Sequence, residues 1–240
     1  MKLTKKILNK ADVITLRDEM SKGELLKIGV DRPEITITAD SAFCIYPNHK
    51  TEISEYKRKW LINDDADYFL ISLRDHKRLS KDFCKILAQA FDYISSKYNC
   101  YPVFIPFQKQ KDMKNTEEVR ALMQKPSSVL KEENIDVVLD VMSKSRLCVG
   151  MRLHSLIYSA ICEVPLIGLV YDPKITGFME YIGQNNFLDA EKLSYEELIA
   201  LIDNCFLNSA SIKNDLLLNH RILSEKANKN AKIAMELFYR

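Results

Sequence analysis

Glycine and proline are scarce in this chain, six and seven in 240 residues, and that scarcity excludes collagen-like and low-complexity chains. One-sided charge is also missing. The 35 Lys and Arg oppose 33 Asp and Glu for a formal net of +2, so no general basic field advertises nucleic acid as the partner. Six cysteines stand at 44, 84, 100, 148, 162 and 205. They form no C-x-x-C pair and no cluster, which argues against a disulfide framework and against a zinc site. Cys84, Cys148, Cys162 and Cys205 fall in apolar periodic stretches, as reduced core thiols do, and the compartment reads as reducing and hence cytoplasmic. Long apolar runs are absent too. The opening MKLTKKILNKAD offers only Ile7 and Leu8 after its basic residues, and runs such as 164–171 are strand-length. A signal peptide needs about 7–15 continuous apolar residues and a spanning helix about 20. The expectation is a soluble or at most peripheral protein. G-x-x-x-x-G-K-[ST], G-x-G-x-x-G, H-E-x-x-H and G-x-S-x-G do not occur, so the usual nucleotide, zinc-protease and serine-hydrolase signatures are missing.

What is present is ordinary globular composition, 47% apolar and 28% charged, with strand-like and helix-like patterns in alternation. Residues 12–16 (DVITL) and 34–38 (EITIT) read as short strands flanking a helix from about Asp18 to Gly29. From Tyr68 the pattern becomes regular: YFLISL, a helix, YPVFIP, a helical region, RLCVG, a helix, PLIGLVY. In the first of those helices Phe83, Ile86, Leu87, Ala90, Phe91 and Ile94 recur at the spacing of one helical face. The strands are near-continuously apolar, as expected when helices cover both faces of a parallel sheet. Right-handed crossovers then give an open, doubly wound, Rossmann-like α/β fold. The expected organisation is a strand–helix–strand segment over 1–46, a charged linker over 47–67 in which YKRKW is a solvated face, an α/β domain over 68–208, and one or two terminal helices over 209–240. Residues 1–46 are too few for a core of their own and look like the tail of a larger α/β unit.

Ligands of open parallel sheets bind outside the carboxyl ends of the strands. The polar residues that follow each expected strand are Arg17-Asp18, Asp40-Ser41, Arg74-Asp75-His76, the run 106–112 (PFQKQKD), 150–154 (GMRLH) and 171–177 (YDPKITG). Guanidinium and ammonium groups gathered at strand ends suit an anion bearing phosphate or carboxylate groups. Gly150 permits a tight strand-to-helix turn, with the first amides of the next helix facing a ligand. In that helix Leu153, Leu156, Ile157, Ala160 and Ile161 form a buried stripe. His154 sits at its edge, where an imidazole is half-desolvated, aimed at a cleft and able to give or take a proton. In the 171–177 segment Pro173 and Gly177 hold Lys174 between them in a restrained loop.

The stretch GMRLHSLIYSAICEVPLIGLVYDPKITGFMEYIG resembles the polysaccharide pyruvyl transferase family of the cell-wall type, in which an R-L-H motif, a V-P-L-[IV]-G strand and a Y-D-P-K loop follow one another. ADVITLRDEMSKGELLKIGV, ITADSAF, ISLRDH and VFIPFQKQKD extend the resemblance over most of residues 7–205. It implies a fold like that of glycosyltransferase B, with this chain carrying the C-terminal Rossmann-like domain and a remnant of the first. The implied reaction moves the enolpyruvyl part of phosphoenolpyruvate onto a sugar, closing a ketal across two hydroxyls. The implied acceptor is a bacterial cell-wall or exopolysaccharide unit, often an N-acetylmannosamine on a lipid carrier, worked on at the inner face of the membrane with peripheral membrane contact. Carried over by motif, Arg17, Arg152, Lys174 and Arg74 hold phosphoenolpyruvate together with Leu153, and His154 and Asp112 act on it. No cofactor and no metal are called for, since lysine and arginine fill the electrostatic role. Family members carry about another hundred residues ahead of the R-D segment, so this sequence is expected to be a fragment of a split or shortened gene, or to need a separate N-terminal half. Two other readings stay open: a glycosyltransferase using a nucleotide sugar, because the architecture is shared, and a non-catalytic remnant or interaction partner.

Overall fold

A computed structural model describes residues 2–60 and 62–239; Met1 and Arg240, the outer ends of the first and last expected segments, and Leu61 in the expected linker lie outside the described residues. The chain divides into two compact units, one formed by 1–45 with 218–240 and the other by 46–217.

The first unit begins with α1 (Lys2–Leu8), β1 (Val13–Leu16), α2 (Glu19–Lys27) and β2 (Glu34–Ile37). β1 and β2 pair in parallel, Val13 opposite Glu34 and Leu16 opposite Ile37. α2 starts where expected because the Asp18 carboxylate accepts from the Ser21 amide at 2.7 Å, an N-cap that satisfies an otherwise orphaned donor. It ends at Gly29, whose φ of +81° is the left-handed conformation glycine adopts without penalty. Residues 1–46 do not bury these strands alone. The last helix supplies the cover: its Asn230 accepts from the Thr38 hydroxyl at 2.8 Å and donates to the Ala39 carbonyl at 3.2 Å. Leu223 and Ala227 of that helix are buried, as are Val30 and Phe43.

The second unit runs through α3 (Ile53–Lys59), β3 (Asp67–Ser72), α4 (Phe83–Tyr98), β4 (Cys100–Phe104), α5 (Lys109–Leu122), β5 (Ser128–Val129), α6 (Ile135–Ser143), β6 (Cys148–Gly150), α7 (Leu153–Ile161), β7 (Leu166–Val170), α8 (Pro173–Tyr181), β8 (Phe187–Asp189) and α9 (Tyr195–Leu207). The chain closes with α10 (Ser209–Phe238), a single helix whose residues from Leu218 onward belong to the first unit. The six strands form one parallel sheet in the order β5-β4-β3-β6-β7-β8. Counted from β3, this is the doubly wound order 3-2-1-4-5-6, with its topological switch point between β3 and β6.

Both faces of the sheet are covered, which explains the uninterrupted apolar strands. Alternate residues of β3 point to opposite sides. Phe69 packs with Phe91 of α4 and Phe91 with Phe104, ring centroids 5.7 and 6.1 Å apart. On the other side Tyr68 and Leu70 join Val138, Val141 and Met142 of α6. Trp60 joins that second cluster, only 5% exposed and edge-on to Tyr68 at 5.2 Å. The expected linker is therefore partly core. The run YKRKW is helical, and its Tyr56 and Trp60, four residues apart on one helix face, turn inward while the basic residues between them make up the outer face. Cys84, Cys100, Cys148 and Cys205 are buried free thiols, Cys162 is half-buried and Cys44 exposed. Burial raises the thiols of Cys84 and Cys205 to about 12 and that of Cys148 to about 11, which leaves them inert. No helix among the described residues is long and apolar enough to cross a membrane.

Candidate active site

The carboxyl ends of β3 and β6 lie side by side, Ser72 opposite Gly150, and the chain leaves both strands toward the same edge. The Met151 amide donates to the Ser72 carbonyl at 2.7 Å, and the Arg74 amide approaches the Met151 sulfur at 3.4 Å. Gly150 is required by space. A Cβ there would stand 2.5 Å from the Ser155 hydroxyl and 3.0 Å from Leu156. That hydroxyl is itself fixed, donating to the Arg152 carbonyl at 2.6 Å. α7 thus starts tightly against the strand, with Arg152 at its N-cap and no side chain capping it.

The Arg152 guanidinium turns toward α5. Its Nε donates to Asp112 at 2.9 Å, a second nitrogen contacts the same carboxylate, and that nitrogen also reaches the Gln108 amide oxygen at 3.1 Å. The other Asp112 oxygen accepts from the Gln108 backbone amide at 2.7 Å. Asp112 has no exposed surface and the Arg152 side chain is 13% exposed. Asp112, expected to act on substrate, is therefore fully occupied as a partner. Its place in the first turn of α5 turns the carboxylate inward, a burial that sequence spacing does not reveal. Three residues on, Asn115 donates to the Arg74 carbonyl at 3.0 Å.

Arg74 and Lys174 come together on Tyr171. Arg74 donates to the Tyr171 hydroxyl at 3.0 Å and its guanidinium lies 5.3 Å from the ring centre; Lys174 Nζ lies 5.8 Å from that centre. The 171–177 segment is not a loop. Pro173 opens α8 at the first helical position, where its missing N–H costs nothing, and Gly177 falls inside the helix. Lys174 is restrained instead by the N-cap, Asp172, which accepts from the Lys174 amide at 3.1 Å and pairs with its ammonium at 3.3 Å. Burial raises the Asp172 carboxyl, but the Lys174 hydrogen bonds and the charges of Lys174 and Arg74 outweigh it and hold the group below the usual carboxylate range. The Arg74 charge is thus felt at Asp172.

Two more polar groups sit at the end of β3 without a partner among the described residues: the Ser72 hydroxyl, 1% exposed, and Nδ1 of the half-buried His76. The His76 ring lies 5.1 Å from the Tyr171 ring. His76 and Tyr171 are both among the residues that the sequence places after apolar strands; Ser72 is not, although it closes the apolar run of β3.

His154 departs from expectation. It is exposed, not half-desolvated, and its ring lies 5.8 Å from that of Tyr158, one turn on. Leu153 is buried with Leu156, Ile157, Ala160 and Ile161 in the expected stripe, so its side chain faces core. Arg17 belongs to the first unit, where its guanidinium pairs with Asp18 at 3.3 Å and Asp40 at 3.0 Å. The six expected residues of the second unit thus fall into an Arg152–Asp112 pair, an Arg74–Lys174 pair around Tyr171, exposed His154 and buried Leu153.

The second unit is thus a doubly wound, Rossmann-like α/β domain with Arg74 and Arg152 following the two strands of its switch point. Solved structures agree on the fold. A glycosyltransferase from Rickettsia africae superposes with a TM-score of 0.65 at 16% identity, over 98% of this chain and 66% of that one. HepE of Anabaena, in complex with UDP and glucose, gives 0.64 at 14% identity over 100% and 66%. A putative UDP-N-acetylglucosamine 2-epimerase from Listeria monocytogenes gives 0.67 at 15% identity over 95% and 60%. This chain therefore spans about three-fifths to two-thirds of the length of those proteins. No curated protein sequence matches it. The family model for polysaccharide pyruvyl transferase matches residues 1–173, and the chain belongs to that family. The match includes Arg17, Arg74, Asp112, Arg152 and His154, and stops one residue short of Lys174.

Proposed function

We propose that this chain contributes the donor site of a transferase that moves the pyruvyl group of phosphoenolpyruvate onto a sugar of a polysaccharide unit. The observation that carries the reading is the charge arrangement at the carboxyl ends of β3, β6 and β7: Arg74, Arg152 and Lys174 against Asp112 and Asp172. Three cations against two carboxylates leave room for an anion. Asp112 is too enclosed to yield its partner, so it fixes Arg152 as a positioning residue. The half-exposed Asp172–Lys174 pair is the one an incoming phosphate displaces.

In this reading Arg74 and Lys174 take the phosphate and Arg152 the carboxylate, as planar guanidinium groups suit. His154 delivers a proton to the methylene carbon, which becomes the methyl group. One sugar hydroxyl adds to the oxocarbenium-like C2 and returns its proton to His154; the second displaces phosphate by C2–O cleavage, gives its proton to the departing phosphate and closes the ketal. Exposure of His154 fits a residue that meets an incoming sugar. The cations stabilise charge on the leaving phosphate. Leu153 sets the turn that carries Arg152 and His154, and Arg17, in the first unit, enters this reading by motif alone. The acceptor on a lipid carrier and work at the inner membrane face belong to the same proposal.

Thermal unfolding of the chain with phosphoenolpyruvate tests it. Saturation at about a hundred times Kd stabilises by roughly 2.7 kcal/mol. Arg152→Ala should erase that shift; His154→Ala should keep it while ketal formation falls by at least about 10². A chain stabilised by nucleotide sugars and untouched by phosphoenolpyruvate is a glycosyltransferase instead.

A further inference from the structure

Beside the cationic site the second unit has a cavity of about 400 Å³, lined by part of the 106–112 run but by none of the residues assigned to phosphoenolpyruvate or to catalysis. It opens at the carboxyl ends of β4 and β5, between the start of α5, the segment leading into α6, and α7. Its walls include Phe107, Gln108, Gln110, Lys131, Glu133 and Tyr158. Two of these join it to the residues already described. Gln108 is the amide that contacts Arg152 at 3.1 Å, and Tyr158 is the ring against which His154 lies at 5.8 Å. The cavity therefore borders both the donor-binding guanidinium and the exposed imidazole.

The lining chemistry selects its occupant. The volume lies within the roughly 300–1,000 Å³ of small-molecule sites. Phe107 and Tyr158, centroids 5.9 Å apart and tilted by 42°, offer aromatic surface to the C–H face of a ring. Gln108 and Gln110 offer amide donors and acceptors, and Lys131 and Glu133 bring one charge of each sign; the Glu132 carboxylate is engaged by the Tyr56 hydroxyl and by the amides of Glu133 and Asn134. A lining with no excess of positive charge has no net attraction for a phosphate, while its amides and aromatic faces suit a neutral, hydroxyl-bearing ring. Charge thus sorts the two substrates: the anion goes to Arg74, Arg152 and Lys174, and a neutral polyhydroxylated ring goes to the cavity.

We infer that this cavity is the acceptor subsite and holds the pyranose ring whose hydroxyls receive the pyruvyl group, with His154 at its edge. The inference rests on the proposed transfer and moves acceptor recognition onto the second unit. Amide NMR of the labelled chain separates the two ideas. N-acetylmannosamine should shift the amides of Phe107, Gln110 and residues 130–133, and phosphoenolpyruvate those of residues 150–152. Gln110 is exposed, so Gln110→Trp fills the mouth without disturbing the core; it should abolish the sugar shifts and spare those of phosphoenolpyruvate. Sugar shifts without any response to phosphoenolpyruvate would keep the subsite and remove the donor reading. Cavity amides unmoved by the sugar up to its solubility limit, or moved more by uridine than by the sugar, would overturn the inference.

Discussion

Arg17 and Arg152 both stand just past the carboxyl end of a parallel strand and both meet aspartates, yet the two regions treat the pair differently. Arg17 follows β1 of a two-stranded sheet; its side chain is 37% exposed, with Asp18 and Asp40 at 29% and 18%. Arg152 follows β6 of a six-stranded sheet, and its Asp112 is wholly enclosed. A small sheet has too few neighbours to exclude water from its edge, so the Arg17 pairs remain screened. In the larger unit α5 closes over the pair, and the same chemistry becomes a fixed, desolvated element. The lesson concerns function as well as stability: an enclosed pair pre-orients a guanidinium, whereas an exposed one leaves it adjustable.

The sharpest way to break this contrast is to delete the carboxylates. Asp112→Ala strands a buried guanidinium and should destabilise by about 3–5 kcal/mol. Asp40→Asn, which keeps an acceptor for the Ala42 amide and removes only the charge, should cost no more than about 1 kcal/mol. Trp60, the single tryptophan, sits in the second unit's core, so its fluorescence in urea reads the first effect and far-UV circular dichroism the second. Equal midpoint shifts would remove the distinction.

Glycines sharpen the comparison next. Gly150→Ala forces a Cβ onto a hydroxyl that is hydrogen-bonded in place and should cost about 1–3 kcal/mol. Gly29→Ala meets only the mobile end of Lys5, Nζ at 2.5 Å, and is governed by its φ of +81°; about 1 kcal/mol follows from the left-handed backbone alone. Gly29→Asn should recover part of that loss because asparagine tolerates this conformation, and Gly150→Asn should recover none.

The smallest effect compares the two capping aspartates. Burial raises the Asp18 carboxyl, but the Ser21 and Arg17 hydrogen bonds and the Arg17 charge outweigh it and lower it below its ordinary value, and Asp172 is lowered in the same sense. A carboxylate depressed in the folded state stabilises above its unfolded pKa of about 3.9, and the contribution is lost as pH falls through the folded value. Asp18→Asn and Asp172→Asn keep an N-cap acceptor and should each flatten the decline of Tm below about pH 4. Asp172→Asn should also tighten phosphoenolpyruvate binding by removing the carboxylate that competes for Lys174. Binding no tighter than that of the parent chain would place the phosphate elsewhere.

Much of the second unit was legible along the chain. The stripes of α4 and α7 and the apolar runs of β3, β4, β6 and β7 lie where periodicity put them, because a buried helix face or strand must be apolar wherever it ends up. Trp60 was misread because a short helix among lysines and arginines carries too few apolar positions to declare its inner face. Lys174 was assigned to a loop although Asp172-Pro173 is a helix-start signature. His154 was expected at a cleft edge and lies exposed, since a helical wheel gives direction and not the cover that other elements supply. The Asp112–Arg152 partnership spans 40 residues, and no local pattern encodes a contact at that separation.

The α/β class, the parallel strands, the family motifs and the presence of cations at strand ends are written along the chain, because all of them follow from local periodicity and residue type. Tertiary structure alone decided the strand order, the enclosure of Asp112, the gathering of Arg74 and Lys174 on Tyr171, the cover that α10 gives to β2 and the cavity beside Tyr158. Each of these depends on which distant segments exclude water from one another, and exclusion of water is a property of the folded whole.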